Sequence, residues 1–529
     1  MLIGYVSDER YLALCDVALE FVDGGGRSWA TRSRASGSVH ADLTPGPYTV
    51  SLQCPGYGQK RVQMTVSEGE PYQFRLLSEH LLGYMWPKWV RSGEQAEFRC
   101  HSVTSCQLEL YRYGFEREYI RHLGWFDEHG PRAVTQITPD GDYTRTGVEW
   151  NRHGFISSVH QQKVTAPEQT GLYYLHASNE GGESFNFPWI VAPSAPTARV
   201  AALMANISWN AYNNFGGRSN YIHADTLPDV PTVNARLELQ RYTNTKHHAY
   251  AVTDYAPLSF DRPEPFSCID PDSTVDGPVH GRQASHTAPV DWRLLAWLER
   301  EGIEHDVYAE TQLHEGVLTL DDYDVLLTGA HPEYWSRDMY RTLKDWVFHR
   351  GGKLMYLGGN GLNCEVEFPD SATMIVRNEI CTGTTPPGYE SRMHKRLESE
   401  AGLLGVVYDD NGAMTGAPYR VVDADHWVFD GTDLSNGDVF GIRSQHMRCQ
   451  GGASGHETDK ISPHSPPNVH LLAKGMNIDN GGAEMIIYDT DSGGGVFSTA
   501  SINWNSSLLV DPHVSQITAN VVRRFSNSD

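Results

Sequence analysis

Positive charge is scarce in this chain of 529 residues: 42 Lys and Arg stand against 66 Asp and Glu, a formal charge of −24. Such a surface repels phosphate backbones and anionic lipid, so neither nucleic acid nor membrane is expected as a partner. Long apolar runs are missing too. No window approaches 18 uninterrupted apolar residues, and the opening MLIGYVSDER has neither a basic n-region nor a following apolar h-region, so neither export nor membrane insertion is expected. Cysteine is sparse and unpatterned. Cys15, Cys54, Cys100, Cys106, Cys268, Cys364, Cys381 and Cys449 form no CxxC pair and no dense framework, and a reducing cytoplasm is the simplest home for them. Cys100 and Cys106 are close enough to bridge a hairpin, but buried free thiols are the commoner arrangement. Also lacking are an HExxH, a Walker-A loop, a GxGxxG behind a strand, any internal repeat and any low-complexity tract.

What is present divides into two styles of patterning. At roughly 100–200 residues per domain the length suggests about three domains. Residues 1–82 read as short alternating segments (VALEFV, GSVHADL, YTVSLQC, KRVQMTV) separated by GGG, TPGP and EGEP turns, the spacing of a small antiparallel β-sandwich. The DLTPGPYTVSL piece resembles prealbumin-like or carboxypeptidase-regulatory-like modules. Residues 83–195, with QAEFRC, CQLELYRYG, GLYYLHAS and FNFPWIVAP, predict a second sandwich that ends at an Ala-Pro-Ser-Ala-Pro-Thr linker. From 196 to 529 strands alternate with helices. VDWRLLAWLEREG and RDMYRTLKDWVFHRGG are amphipathic helices with glycine stops, and strands such as KLMYLGGN follow them, as in the crossover units of a doubly wound α/β sheet.

The chemistry gathers where strands end. In DYDVLLTGAHPEYWS (322–336) a buried strand runs into His331-Pro332-Glu333, and the proline holds the backbone extended so that both side chains can face one crevice. Glu333 is a candidate metal ligand or catalytic carboxylate, and His331 a candidate base or second donor behind a ligand. In SWNAYNNFGGRSNYIHA (208–224) Tyr212 and Tyr221 flank a Gly-Gly reversal that can bring both phenols to one point. The turn LGGNGLNCE (357–365) carries Asn360, able to hold a substrate carbonyl or simply to tolerate a left-handed φ. It carries no nucleophile, since Cys364 comes too late, and this disfavours Cys-His catalysis. GGASGHETDK (451–460) places His456, Glu457 and Asp459 in a Gly-rich loop that reads as capped or salt-bridged more readily than as a metal site.

Together the AYNNFGG…SNY, SFDRPEP (259–265), DVLLTGAHPEYWS and GGKLMYLGGNG segments resemble the large-subunit catalytic region of the N,N-dimethylformamidases over about residues 84–529. The resemblance implies a glutamine-amidotransferase-like catalytic domain, a mononuclear ferric iron held by two tyrosines and one glutamate, and hydrolysis of a small amide by iron-activated water. The family's His-Pro-Glu element matches His331 and Glu333, and its Ala-Tyr-Asn tyrosine matches Tyr212. Its second tyrosine best matches Tyr221, with Tyr250 and Tyr255 as rivals. Three anionic oxygen ligands suit a hard ferric ion, and His331 is then placed to accept or relay a proton. A homo-oligomer is implied, and it stays open whether the family's separate small subunit accompanies it. Residues 1–82 are not associated with the dimethylformamidases, which leaves the particular amide open. Two other readings stand beside this one: a non-catalytic ligand- or glycan-binding protein, and a different amidotransferase-like enzyme.

Overall fold

Alternation of buried and exposed side chains is clearest along Tyr57–Val66, where Gly58, Lys60, Val62, Met64 and Val66 turn inward, the two-residue period of a sheet with one wet face. In this computed structural model the described residues are 1–69, 71–126, 143–148, 162–216, 219–220, 231, 257–279, 285–377 and 397–526. Tyr57–Val66 is there the edge of a four-stranded antiparallel sheet with Ser28–Arg32, Ala18–Asp23 and Gly46–Cys54. A three-stranded sheet of Ser38–His40, Leu2–Ser7 and Tyr72–Arg75 packs on it, and Val6, Phe21, Val39, Val50 and Phe74 share one core. A second core, around Tyr84, Phe98, Leu108, Tyr173 and Trp189, lies between a three-stranded sheet and the five-stranded sheet built on Cys106–Tyr113, Gly171–Asn179 and Ser184–Ala192. Cys100 and Cys106 lie in this core with sulfurs 3.9 Å apart, and both are free thiols.

The largest core belongs to a nine-stranded sheet. Its strands are β1 (Val200–Met204), β2 (Asp306–Ala309), β3 (Val325–Thr328), β4 (Lys353–Tyr356), β5 (Tyr419–Val421), β6 (Val439–Phe440), β7 (His470–Gly475), β8 (Glu484–Asp489) and β9 (Gly495–Ser498). They lie in the order β2-β1-β3-β4-β9-β8-β7-β5-β6. The first five are mutually parallel and buried throughout except at Lys353, the composition of a sheet covered on both faces. The remaining pairings are antiparallel, so the sheet is mixed where the sequence pattern suggested a doubly wound parallel one. Strand patterning marks β8 and β9 without marking their direction, because a short turn between two strands reverses the chain whereas a helix between them does not.

The helices that bear on the site are α1 (Asn206–Tyr212), α2 (Ala288–Arg300), α3 (Arg337–His349) and α4 (Pro512–Phe525). Ser336 caps α3, its hydroxyl accepting from the Met339 N–H at 3.3 Å, and Gly351 at φ +79° ends it. Gly352 then leaves room for the Trp346 indole, where a Cβ would overlap the ring. Taken whole, the described chain is multidomain and mostly β-sheet, with few helices. Among the described residues no helix is long and apolar enough to cross a membrane.

Candidate active site

β1, β3 and β4 are parallel neighbours, so their carboxyl ends open on one edge of the sheet, the place where such sheets hold ligands. The segments leaving them carry the sequence-predicted residues. α1 ends at Tyr212, the stretch after β3 carries His331 and Glu333, and the turn after β4 carries Gly359 and Asn360. The Tyr212 hydroxyl lies 3.0 Å from His331 Nε2 and donates to Glu333 Oε2 at 3.3 Å, while His331 Nε2 and Glu333 Oε2 are 2.8 Å apart. All three are buried. His331 Nδ1 is 2.9 Å from the Gly359 carbonyl, which can only accept, so this nitrogen carries a proton and Nε2 is the working one. Burial alone would push the imidazole down, but the Glu333 carboxylate against it, with Glu457 and the Gly359 carbonyl, holds it above its usual value. Tyr221, Tyr250 and Tyr255, the candidates for a second phenol, lie outside the described residues.

The Gly-rich 451–460 stretch, expected as a loop, instead contributes the short strands Ser454–Gly455 and Thr458–Lys460, and it does more than the sequence suggested. Glu457 comes to 3.6 Å from His331 Nε2, and Asn360 Nδ2 donates to Glu457 Oε2 at 3.0 Å. Asn360 stands at φ +51° and its own N–H donates to Asp459 Oδ1 at 2.8 Å. Tyr356 donates to the other Asp459 oxygen at 2.7 Å, and its hydroxyl accepts the Gly361 N–H at 2.6 Å. Burial pushes the Asp459 carboxyl up to about 7, against the hydrogen bonds from Tyr356 and Asn360. Cys364, by contrast, opens the strand Cys364–Asp370, where its buried thiol donates to the Arg377 carbonyl at 3.2 Å.

Two further groups were not singled out from the sequence. His286, just ahead of α2, stacks on Tyr212 with ring centroids 4.7 Å apart and meets His331 edge-on at 4.7 Å. With His331 and Glu457 it forms a buried trio whose ligand atoms all lie within 4.8 Å of one another. Asp291, in the first turn of α2, accepts from the N–H groups of Ala205 (3.0 Å) and Ala330 (2.9 Å) and from Trp209 Nε1 (3.0 Å), and so ties the ends of β1 and β3 together directly behind His331. The available signal for both was the Ser-His-Thr cap and the acidic first turn of a helix otherwise apolar.

A second cluster, His446, Cys449 and His456, also has its ligand atoms within 4.8 Å. Its hydrogen bonds argue against an ion. The Cys449 N–H donates to His446 Nδ1 at 3.0 Å, so the neutral ring keeps its proton on Nε2, which faces His456 Nδ1 at 3.0 Å. A nitrogen that donates a proton to its neighbour has no lone pair for a metal. Burial pushes the Cys449 thiol up to about 11, so it stands here as a neutral thiol.

The fold and this geometry together define a β-rich, multidomain protein with a phenol, an imidazole and a carboxylate converging at the carboxyl ends of parallel strands. Residues 107–517 match the family described as N,N-dimethylformamidase beta subunit-like, C-terminal, and the chain belongs to that family. It is 29% identical over 451 residues to the N,N-dimethylformamidase beta subunit of Paracoccus aminophilus, covering 69% of this chain and 54% of that protein. To the N,N-dimethylformamidase beta subunit of Alcaligenes sp it is 28% identical over 326 residues, covering 48% of this chain and 42% of that protein. The chain thus spans about half the length of the curated relatives it matches. Among solved structures, a cold-adapted β-galactosidase from Rahnella sp. R3 reaches a TM-score of only 0.27 at 11% identity, covering 46% of this chain and 27% of that one.

Proposed function

We propose that this protein is a metal-dependent hydrolase that cleaves the C–N bond of a small amide, as the names of its relatives suggest for them. The observation that carries the reading is the meeting of Tyr212, His331 and Glu333 in a buried corner of a chain from this family. A phenol oxygen and a carboxylate oxygen 3.3 Å apart, away from water, are the donor types a hard trivalent ion takes, so the residues present fit ferric iron. Tyr212 and Glu333 would hold it, with Tyr221 completing the set and Tyr250 or Tyr255 as substitutes. The ion's contribution is Lewis acidity towards the amide carbonyl and towards water.

The chain's own residues do the rest. Where the Glu333 charge is engaged in holding the ion it no longer keeps His331 charged. The neutral ring, its Nδ1–H committed to Gly359, then takes a proton from water at Nε2 during attack and returns it to the leaving amine. Glu457, within 3.6 Å, stabilises the imidazolium so formed. Asn360 fixes Glu457 through Nδ2 and, in this reading, offers the second N–H of that amide to the substrate carbonyl. A Cys364 nucleophile has no support, since the thiol is buried in a strand and faces a carbonyl. Five parallel strands with α3 crossing between β3 and β4 support placing residues 196–529 in a glutamine-amidotransferase-like α/β domain, and the self-contained core from Ile3 to Leu76 supports a domain over 1–82. For 83–195 the support is its own pair of sheets, since Trp89, Tyr113 and Tyr174 pack into the largest core.

Elemental analysis of the purified protein, with a screen of formamides, acetamides and ureas, tests the function. One iron per chain, a visible phenolate-to-iron charge-transfer band that weakens in Tyr212→Phe, and turnover of a small amide are expected. Metal-free protein that binds small ligands without turnover would favour a binding module, and a colourless, zinc-loaded active enzyme would remove the ferric assignment.

A further inference from the structure

The family match begins at residue 107, yet the N-terminal sandwich reaches the turn that carries Tyr212. Four residues beyond Tyr212, Gly216 stands at φ +99°, a backbone conformation open to glycine and strained for other residues. Both of its backbone polar groups are taken by the sandwich. Its N–H donates to the Glu9 carbonyl at 2.7 Å, and its carbonyl accepts from the Arg75 guanidinium.

The gripping side is itself fixed. Arg75 closes the strand Tyr72–Arg75, is 1% exposed, and lies over the Tyr11 ring at 5.2 Å. The Glu9 carboxylate accepts the Ser78 N–H at 3.0 Å and the Ser78 hydroxyl at 2.7 Å, so the segment that offers the Glu9 carbonyl cannot swing away. From the other side Arg262, in the SFDRPEP motif, donates to the Phe215 carbonyl at 2.6 Å and to the Asn210 carbonyl at 3.2 Å. Asn213 Nδ2 donates to the Pro263 carbonyl at 2.8 Å. The Phe215 side chain belongs to the second core. α1 has only seven residues and ends at Tyr212, so a shift of the turn moves the phenol directly. A site of this kind tolerates displacements of only about 0.5 Å.

We propose that the N-terminal sandwich is a positioning element of the site, and that Arg75, acting through Gly216, sets where the Tyr212 phenol meets His331 and Glu333. The proposal rests on the reading of Tyr212 as a site residue, and it requires neither a particular metal nor a particular substrate.

The test uses the full chain without metal, with 3-fluorotyrosine at position 212 as a fluorine-19 reporter of the phenol's surroundings. Arg75→Met keeps most of the stem and removes the donor, and it should shift and broaden the resonance. Arg75→Lys restores a cationic donor and should return the resonance towards its original position. Gly216→Ala strains the φ +99° backbone from the other side of the contact and should also move the resonance; if it does not, the turn does not set the phenol and the proposal falls even where Arg75→Met fails to fold. In metal-loaded protein Arg75→Met should lose metal affinity on the order of tenfold, as disturbed support behind ligands does. An unmoved resonance in a folded variant overturns the proposal, as does a shift in Arg75→Met that lysine does not reverse. Should the chain hydrolyse no amide at all, the metal-free resonance still decides, so the two readings fail separately.

Discussion

Glu333 and His331 touch each other, and their contacts assign them different work. Glu333 Oε2 is the oxygen reached by both the Tyr212 hydroxyl and His331 Nε2, whereas His331 is held from behind by Gly359 and faces Glu457 as well. In the proposed function Glu333 is a ligand and His331 a proton carrier. Glu333→Gln, nearly isosteric but uncharged, should therefore lose iron and activity together. His331→Ala should keep its iron and lose turnover by about 10²–10⁴, the usual worth of a positioned base. Iron content measured beside kcat separates them, and a His331→Ala protein stripped of iron would make His331 a ligand. Why the proline lies between them is also a matter of single residues: it keeps the backbone extended, and the Glu333 N–H is left to find the Ser208 hydroxyl at 3.2 Å, a second tie to α1.

At the scale of elements, α2 shows what can and cannot be read from a sequence. Its apolar spacing and glycine stop predict a helix ending near Gly302, and the helix is Ala288–Arg300. The same spacing treats Asp291 as an ordinary first-turn acid, because its three partners lie 86, 82 and 39 residues away along the chain and only the fold brings them close. Asp291→Ala leaves three buried donors without an acceptor, and at roughly 1–3 kcal/mol for each such group it should cost about 3 kcal/mol or more. Chemical denaturation measures this, and a loss under about 1 kcal/mol would mean that water or a shifted backbone replaces the carboxylate. Strand ends were legible for the same reason that helices were: apolar runs stopping at Gly329 and Gly358 mark where β3 and β4 release the chain. The loop of Glu457 and Asp459 was not. Its glycines advertise a turn, and nothing local says that the turn lies against Asn360, 97 residues earlier.

For the molecule as a whole the consequential feature is that residues 211–216 are shared: Ala211 and Tyr212 join the largest core, Phe215 joins the second, and Glu9 and Arg75 of the N-terminal sandwich hydrogen-bond Gly216, so the stability of that sandwich bears on the site. That sandwich contains a buried carboxyl. Asp8 Oδ1 accepts the Arg10 N–H at 2.8 Å and the Leu12 N–H at 2.7 Å, next to the Glu9 whose carbonyl holds Gly216. Burial, reinforced by the Glu9 charge, pushes the Asp8 carboxyl up to about 7 from an ordinary 3.8. Between those values the folded chain holds the proton more tightly than the unfolded chain, so this group's contribution to stability falls as pH rises from about 4 to about 7 and levels off above. The full loss amounts to up to about 4 kcal/mol. Asp8→Asn keeps a carbonyl oxygen for both N–H groups and has no charge to desolvate, so its stability should fall less over the same interval. Urea midpoints at pH 5 and pH 8 should therefore separate more for the wild-type chain than for Asp8→Asn, with the variant ahead at pH 8. Equal separations would mean that Asp8 is charged at both pH values, with its two N–H donors outweighing burial, and the turn that holds Gly216 would then be insensitive to pH.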